Sequence, residues 1–246
     1  MATVQLYAAY AGAAYTVTDE WECDECSHPG TEGTVVETHW DSPLITSRGY
    51  IARNPASKTI VVAFGGTDDP STWAQDFKVV PAPWPLRVPG SVVIEGFLEG
   101  YLVVEPQVMD ETARLADQYP DHTIVAVGHS LGGTRAALFV ADLGAQYPEL
   151  LPRTVLYTYG QAKCGNEYFA DYMNGLGRRL YRVVNQGDVA PHLPQNDDVF
   201  YQFGTEIWLT GDNGMVVCQR DDYSRCSESL SRDELNVSDH TSYPSI

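Results

Sequence analysis

Basic residues are scarce in this chain of 246 residues: 15 lysines and arginines stand against 33 aspartates and glutamates, a formal net charge of −18. A polyanion would be repelled, which excludes nucleic acid as a partner and strong attraction to anionic lipid headgroups with it. Long apolar runs are missing too, and none approaches the roughly 20 residues of a membrane-crossing helix. No repeat and no low-complexity segment appears. Cysteines number 5 and form a single C-x-x-C, Cys23 to Cys26, so a four-thiolate zinc site lacks its second half even with His28 nearby. Neither a metal nor a cofactor is expected. Close spacing favours two local disulfides, Cys23 with Cys26 and Cys218 with Cys226, leaving Cys164 free. Such a pattern belongs to an oxidising compartment. Met1-Ala2-Thr3 has neither a basic region nor a cleavage site, so a secreted protein would be present here as a mature form with an added start residue. Asn236-Val237-Ser238 is a glycosylation sequon, in keeping with secretion.

What is present is globular: 43% hydrophobic and 20% charged residues. The length suits one domain spanning residues 1–246. Short runs rich in valine and isoleucine read as buried strands at Thr59 to Phe64, Thr123 to Val127, Thr154 to Tyr159 and Leu180 to Val184. Ile45 to Ala52 and Glu206 to Thr210 read as further strands. Val104 to Tyr119 and Leu131 to Gln146 read as helices, the first with Val108, Thr112 and Leu115 on one face. Pro81 through Pro89 carries 4 prolines in 9 residues and is followed by Gly90, a surface excursion that cannot be helix or central strand. Alternating strands and helices predict an α/β fold with a mostly parallel central sheet.

Gly128-His129-Ser130-Leu131-Gly132-Gly133 contains the G-x-S-x-G pattern of a nucleophile elbow. Its context is the one the chemistry needs: an apolar β-branched strand runs into it and a small-residue helix leaves it. The serine then sits on a sharp turn, glycines let strand and helix approach, and the helix N-terminus lies where negative charge develops. A serine hydroxyl needs a base. In this type of fold the chain order is serine, acid, histidine. His28, His39 and His122 precede Ser130, and His129 should point away from it. His192 shares the loop of the candidate acid, Asp188, which follows the strand Leu180 to Val184. His240 lies in a polar loop near the C-terminus. Ser130, Asp188 and His240 are therefore assigned as the triad. Backbone N–H groups of Leu131 and Thr67, the latter at the glycine turn after Thr59 to Phe64, are the candidate oxyanion hole.

These motifs resemble the fungal class 3 lipases of the Rhizomucor miehei type, and the likeness runs from Trp21 to Tyr243. It is carried, in order, by Trp21 to Cys26, Lys58 to Thr67, Thr72 to Phe77, Glu95 to Leu98, the elbow, Asn185 to Pro194 and Asp239 to Tyr243. The resemblance implies the α/β-hydrolase fold with a short helical lid over about residues 68–81, whose Trp73, Phe77 and Val80 would form one apolar face. It implies that Asp76 supports the hydroxyl of Thr67 at the oxyanion. It also implies a secreted, monomeric enzyme acting on acylglycerol esters at a lipid–water interface, with feruloyl esterases as related alternatives. Gly65 replaces the family's usual arginine, Ile94 its usual histidine, and no cysteine lies beyond Cys226 to tie the termini.

Overall fold

The structure is a computed structural model that describes residues 1–42, 47–67, 69, 79–84, 88–177, 179–195, 199–212 and 214–246. The main sheet contains β1 (Val35–Ser42), β2 (Ser47–Asn54), β3 (Thr59–Phe64), β6 (Thr123–His129), β7 (Thr154–Tyr159), β8 (Leu180–Asn185), β9 (Thr205–Leu209) and β10 (Met215–Cys218), hydrogen-bonded in that order. Neighbours from β3 through β9 are parallel, whereas β1, β2 and β10 add antiparallel edges. The mostly parallel sheet is thus as the apolar runs predicted. Parallel strands need crossovers, and burial on both faces explains why β3 and β6 read as continuous apolar runs.

Successive side chains of β3 leave opposite faces of the sheet. Ile60, Val62 and Phe64 join the core beneath α2 (Glu95–Leu102), α3 (Glu105–Gln118), α4 (Leu131–Gln146) and α5 (Glu167–Gly175). Val61 and Ala63 join a second core beneath α1 (Ala2–Ala13). Each of the valine, isoleucine and phenylalanine side chains among these is worth about 1.5–3 kcal/mol when fully buried. Helix α3 buries Val108, Met109, Thr112, Leu115 and Ala116, the face its spacing predicted.

Helix α1 carries no pattern to read. Alanines and a glycine surround its axis, and Ala8 through Ala13 are all buried against the sheet. The proline-rich excursion is more structured than expected. Pro81–Pro83 (β4) pairs with Val92–Ile94 (β5) in a separate two-stranded ribbon, where missing N–H groups cost little. Trp84 behind it is buried edge-on against Phe169 of α5. Of the expected strand Ile45 to Ala52, residues 45 and 46 lie outside the described residues.

Candidate active site

Strand β6 ends at His129 and α4 begins at Leu131, so the whole change of direction falls on Ser130. Its backbone has φ 57° and ψ −128°, a conformation that costs a non-glycine residue on the order of 1–3 kcal/mol. Two hydrogen bonds hold it there: Ser130 N–H donates to Tyr159 O at 2.8 Å, and Gly133 N–H donates to Ser130 O at 3.0 Å. The flanking glycines are required by contact. A β-carbon at Gly132 would lie 2.0 Å from Phe64 O, and one at Gly128 would lie 2.3 Å from Gly132 O.

The acid and the histidine arrive from distant parts of the chain. Asp188 closes the turn after β8, its N–H donating to Asn185 O at 2.9 Å. His240 sits on a single 3₁₀ turn, Asp239–Thr241. The two loops are stitched together. Asn236 N–H donates to Gly187 O at 2.8 Å, Val189 N–H to Asn236 O at 3.2 Å, and the Asn185 side chain to Asp239 O at 3.0 Å.

Ser130 Oγ lies 2.8 Å from His240 Nε2, and His240 Nδ1 lies 2.9 and 3.0 Å from Asp188 Oδ1 and Oδ2. All three residues are buried. A carboxylate accepts only, so it places the imidazole proton on Nδ1 and leaves Nε2 bare to accept from the serine hydroxyl. The hydroxyl proton therefore has a base, and the base has a countercharge.

Other groups complete this constellation without having been singled out in the sequence. Asp188 Oδ2 accepts from the Tyr243 hydroxyl at 2.6 Å, and Oδ1 from Ala190 N–H at 2.8 Å. Burial, then the neighbouring Asp188 charge, raises the Tyr243 phenol well above its ordinary range, so it remains a donor. His129 makes no hydrogen bond to Ser130 among the described residues, but its ring lies beside that of His240, tilted by 31° with centroids 4.7 Å apart. Gly160, at φ 59°, is the one residue type that fits beneath the pair: a β-carbon would lie 2.6 Å from Asp188 Oδ2. His192, the rejected base, lies in the turn beyond Asp188.

The glycine turn after β3 abuts the serine turn. A β-carbon at Gly66 would stand 3.1 Å from Ser130 Cβ and 2.8 Å from His129 O. Thr67 follows directly, and its Oγ1 accepts from Asp69 N–H at 3.3 Å. Leu131 is the first residue of α4, where backbone N–H groups have no partner inside the helix. Trp73, Asp76 and Phe77, with most of the expected lid, lie outside the described residues. Val80, at its end, is 45% exposed. Cys23 is bonded to Cys26 and Cys218 to Cys226, so no thiolate remains beside His28; Cys164 is a buried free thiol.

The class 3 lipase family model matches residues 61–198, more than half of the chain. The chain belongs to the class 3 lipases. The lipase of Rhizomucor miehei is 33% identical over 91% of the chain and 61% of its own length. The secreted mono- and diacylglycerol lipase A of Penicillium cyclopium is 30% identical over 87% of the chain and 70% of its own length. The solved structure of the Rhizomucor miehei triacylglyceride lipase superposes with a TM-score of 0.92 at 31% identity, covering 100% of this chain and 94% of that one. The chain spans less than two thirds of the Rhizomucor miehei and Rhizopus niveus lipases, 61% and 64% of their lengths. Its sheet, with a nucleophile turn between a central parallel strand and its helix, is that of the α/β-hydrolase fold.

Proposed function

We propose that this class 3 lipase is a secreted, monomeric serine hydrolase that cleaves acylglycerol esters through an acyl-enzyme. The observation that carries the reading is the unbroken hydrogen-bonded line from Ser130 through His240 to Asp188, at 2.8 and 2.9 Å. His240 takes the proton from Ser130 as its oxygen attacks the ester carbonyl. The backbone N–H groups of Leu131 and Thr67 receive the oxyanion, with the dipole of α4 behind Leu131. Asp188 holds the imidazolium, which then protonates the departing glycerol oxygen. Water repeats the sequence on the acyl-enzyme. The segment over about residues 68–81 acts as a lid, and Asp76 would steady the Thr67 hydroxyl when it opens. The disulfides support an oxidising compartment.

Hydrolysis of triolein, diolein, p-nitrophenyl butyrate and methyl ferulate tests this. Glycerides should be cleaved and methyl ferulate spared; the reverse preference replaces lipase by feruloyl-type esterase. Ser130→Ala should lower kcat by on the order of 10⁴ or more. Near-normal turnover in that variant rules out Ser130 as nucleophile.

A further inference from the structure

Against the last parallel strands lies a cavity of about 560 Å³ that none of Ser130, Asp188 or His240 lines. We propose that it binds a small oxyanion, a carboxylate or phosphate group.

Its charge is opposite to that of the molecule. The chain carries a net −18, yet Lys163, Arg182, Arg220 and Arg232 line this cavity against Glu206 and Glu228. Arg220 is already held by Asp171 and Glu167 on α5, which leaves Lys163, Arg182 and Arg232 on the wall against Glu206 and Glu228, one cation more than carboxylates. Glu206 is fully committed: Oε2 accepts from Arg182 Nη2 at 3.1 Å and Oε1 from Ser227 N–H at 2.9 Å.

The groups left over are nitrogens. Arg182 is 1% exposed, with Nε donating to Phe203 O at 2.7 Å and its guanidinium 4.8 Å over the Tyr223 ring. Its Nη1 is buried and makes no hydrogen bond among the described residues, and the same holds for His192 Nε2. A buried guanidinium N–H requires an acceptor, and its planar fork matches an oxyanion. Burial lowers the His192 pKa, and in the tautomer that carries its proton on Nε2 the ring would donate to the oxyanion.

The walls connect this cavity to two other features. Arg220 and Tyr223 come from the loop closed by the Cys218–Cys226 disulfide. Pro191 and His192 come from the turn that follows Asp188. An oxyanion bridging Arg182, His192 and the rim would therefore fasten the disulfide loop to the acid loop.

The experiment titrates sodium phosphate and sodium acetate against sodium chloride at constant ionic strength, and reads melting temperature and calorimetric binding in the Ser130→Ala background. That variant removes ester hydrolysis, so failure of the binding proposal is distinct from failure of the lipase reading. Saturable stabilisation by phosphate, by acetate or by both is expected, and the tighter anion identifies the chemical class. Arg232→Gln, a change at the exposed rim, should weaken binding by about tenfold, the worth of one hydrogen bond to a charged partner. Arg182→Lys keeps the buried charge, loses the fork and should weaken it further. Reduction of Cys218–Cys226 should slow with occupancy. Stabilisation identical to chloride, or a linear effect indifferent to Arg232→Gln, overturns the proposal.

Discussion

His129 donates from Nε2 to the carbonyl oxygen of His240 at 2.9 Å, so the residue before the nucleophile holds the backbone of the base. A carbonyl only accepts, which leaves His129 Nδ1 to accept from the Tyr15 hydroxyl at 2.7 Å. Burial, then the neighbouring His240, pushes the His129 pKa from 6.5 down to about 3. The unfolded chain therefore takes up a proton that the folded chain refuses. The stability that comes with the neutral ring is complete above about pH 6.5 and is lost as pH falls toward 3. By pH 5 that loss is about 2 kcal/mol. His129→Gln should cost about 1–3 kcal/mol at pH 7.5 through the hydrogen bonds it breaks. The gap to wild type should close by pH 5 in urea unfolding, because glutamine does not titrate. A gap constant with pH would show that His129 is not the titrating group.

Gly160→Ala should damage catalysis more than folding. A β-carbon would stand 2.8 Å from His240 Cε1 as well as 2.6 Å from Asp188 Oδ2, and φ 59° adds about 1 kcal/mol of strain. Relief moves the acid–base pair relative to Ser130. A misplacement near 1 Å costs about 10² in rate. We expect kcat on a soluble ester to fall by about that factor with far-ultraviolet circular dichroism unchanged. Wild-type kcat would mean that the pair tolerates the methyl.

How much was legible in advance depended on how local the signal was. β3 and β6 announce themselves as β-branched runs, and the elbow needs six consecutive residues, Gly128 through Gly133. Elimination by chain order narrowed the base to His192 and His240, and the place of Asp188 in the turn after β8, which His192 shares, then favoured His240. Helix α1 was invisible because alanine packs on every side of it, so no periodicity exists to detect. Tyr243 and His129 were in view as residues, but their roles were not. Each acts on a partner brought near by folding, Tyr243 across 55 residues and His129 across 111. The paired oxygens of Glu206 and the spare N–H of Arg182 likewise exist only once β8 and β9 lie side by side.

Tyr243→Phe isolates one donor to the acid. The hydroxyl lies 2.6 Å from Asp188 Oδ2 and also accepts from Asn185 N–H at 3.0 Å. Hydrogen bonds to a charged group contribute about 1.5–3 kcal/mol. The variant should lose stability of that order, and kcat should fall by about tenfold, since Asp188 is freer to rotate away from His240. KM on a soluble ester should be unchanged. A higher KM with normal kcat would place Tyr243 in substrate binding instead.

Thiol reactivity provides the last check, on the free cysteine. Cys164 is fully buried, and burial pushes its thiol up to about 12. The reactive species is the thiolate, so at pH 8 both its scarcity and the lack of solvent contact protect this residue. The other four cysteines are committed to the Cys23–Cys26 and Cys218–Cys226 bonds. A disulfide-exchange reagent should therefore find no thiol in the native protein, one in denaturant, and all five after reduction. Native labelling, followed over hours, should proceed at the rate of opening rather than of chemistry, and rise with urea. The carbonyl of Cys164 accepts from Ile94 N–H at 3.1 Å, which ties β5 to the main body. Labelling faster than global unfolding would show that this tie opens locally, and Cys164→Ala would then abolish the fast phase.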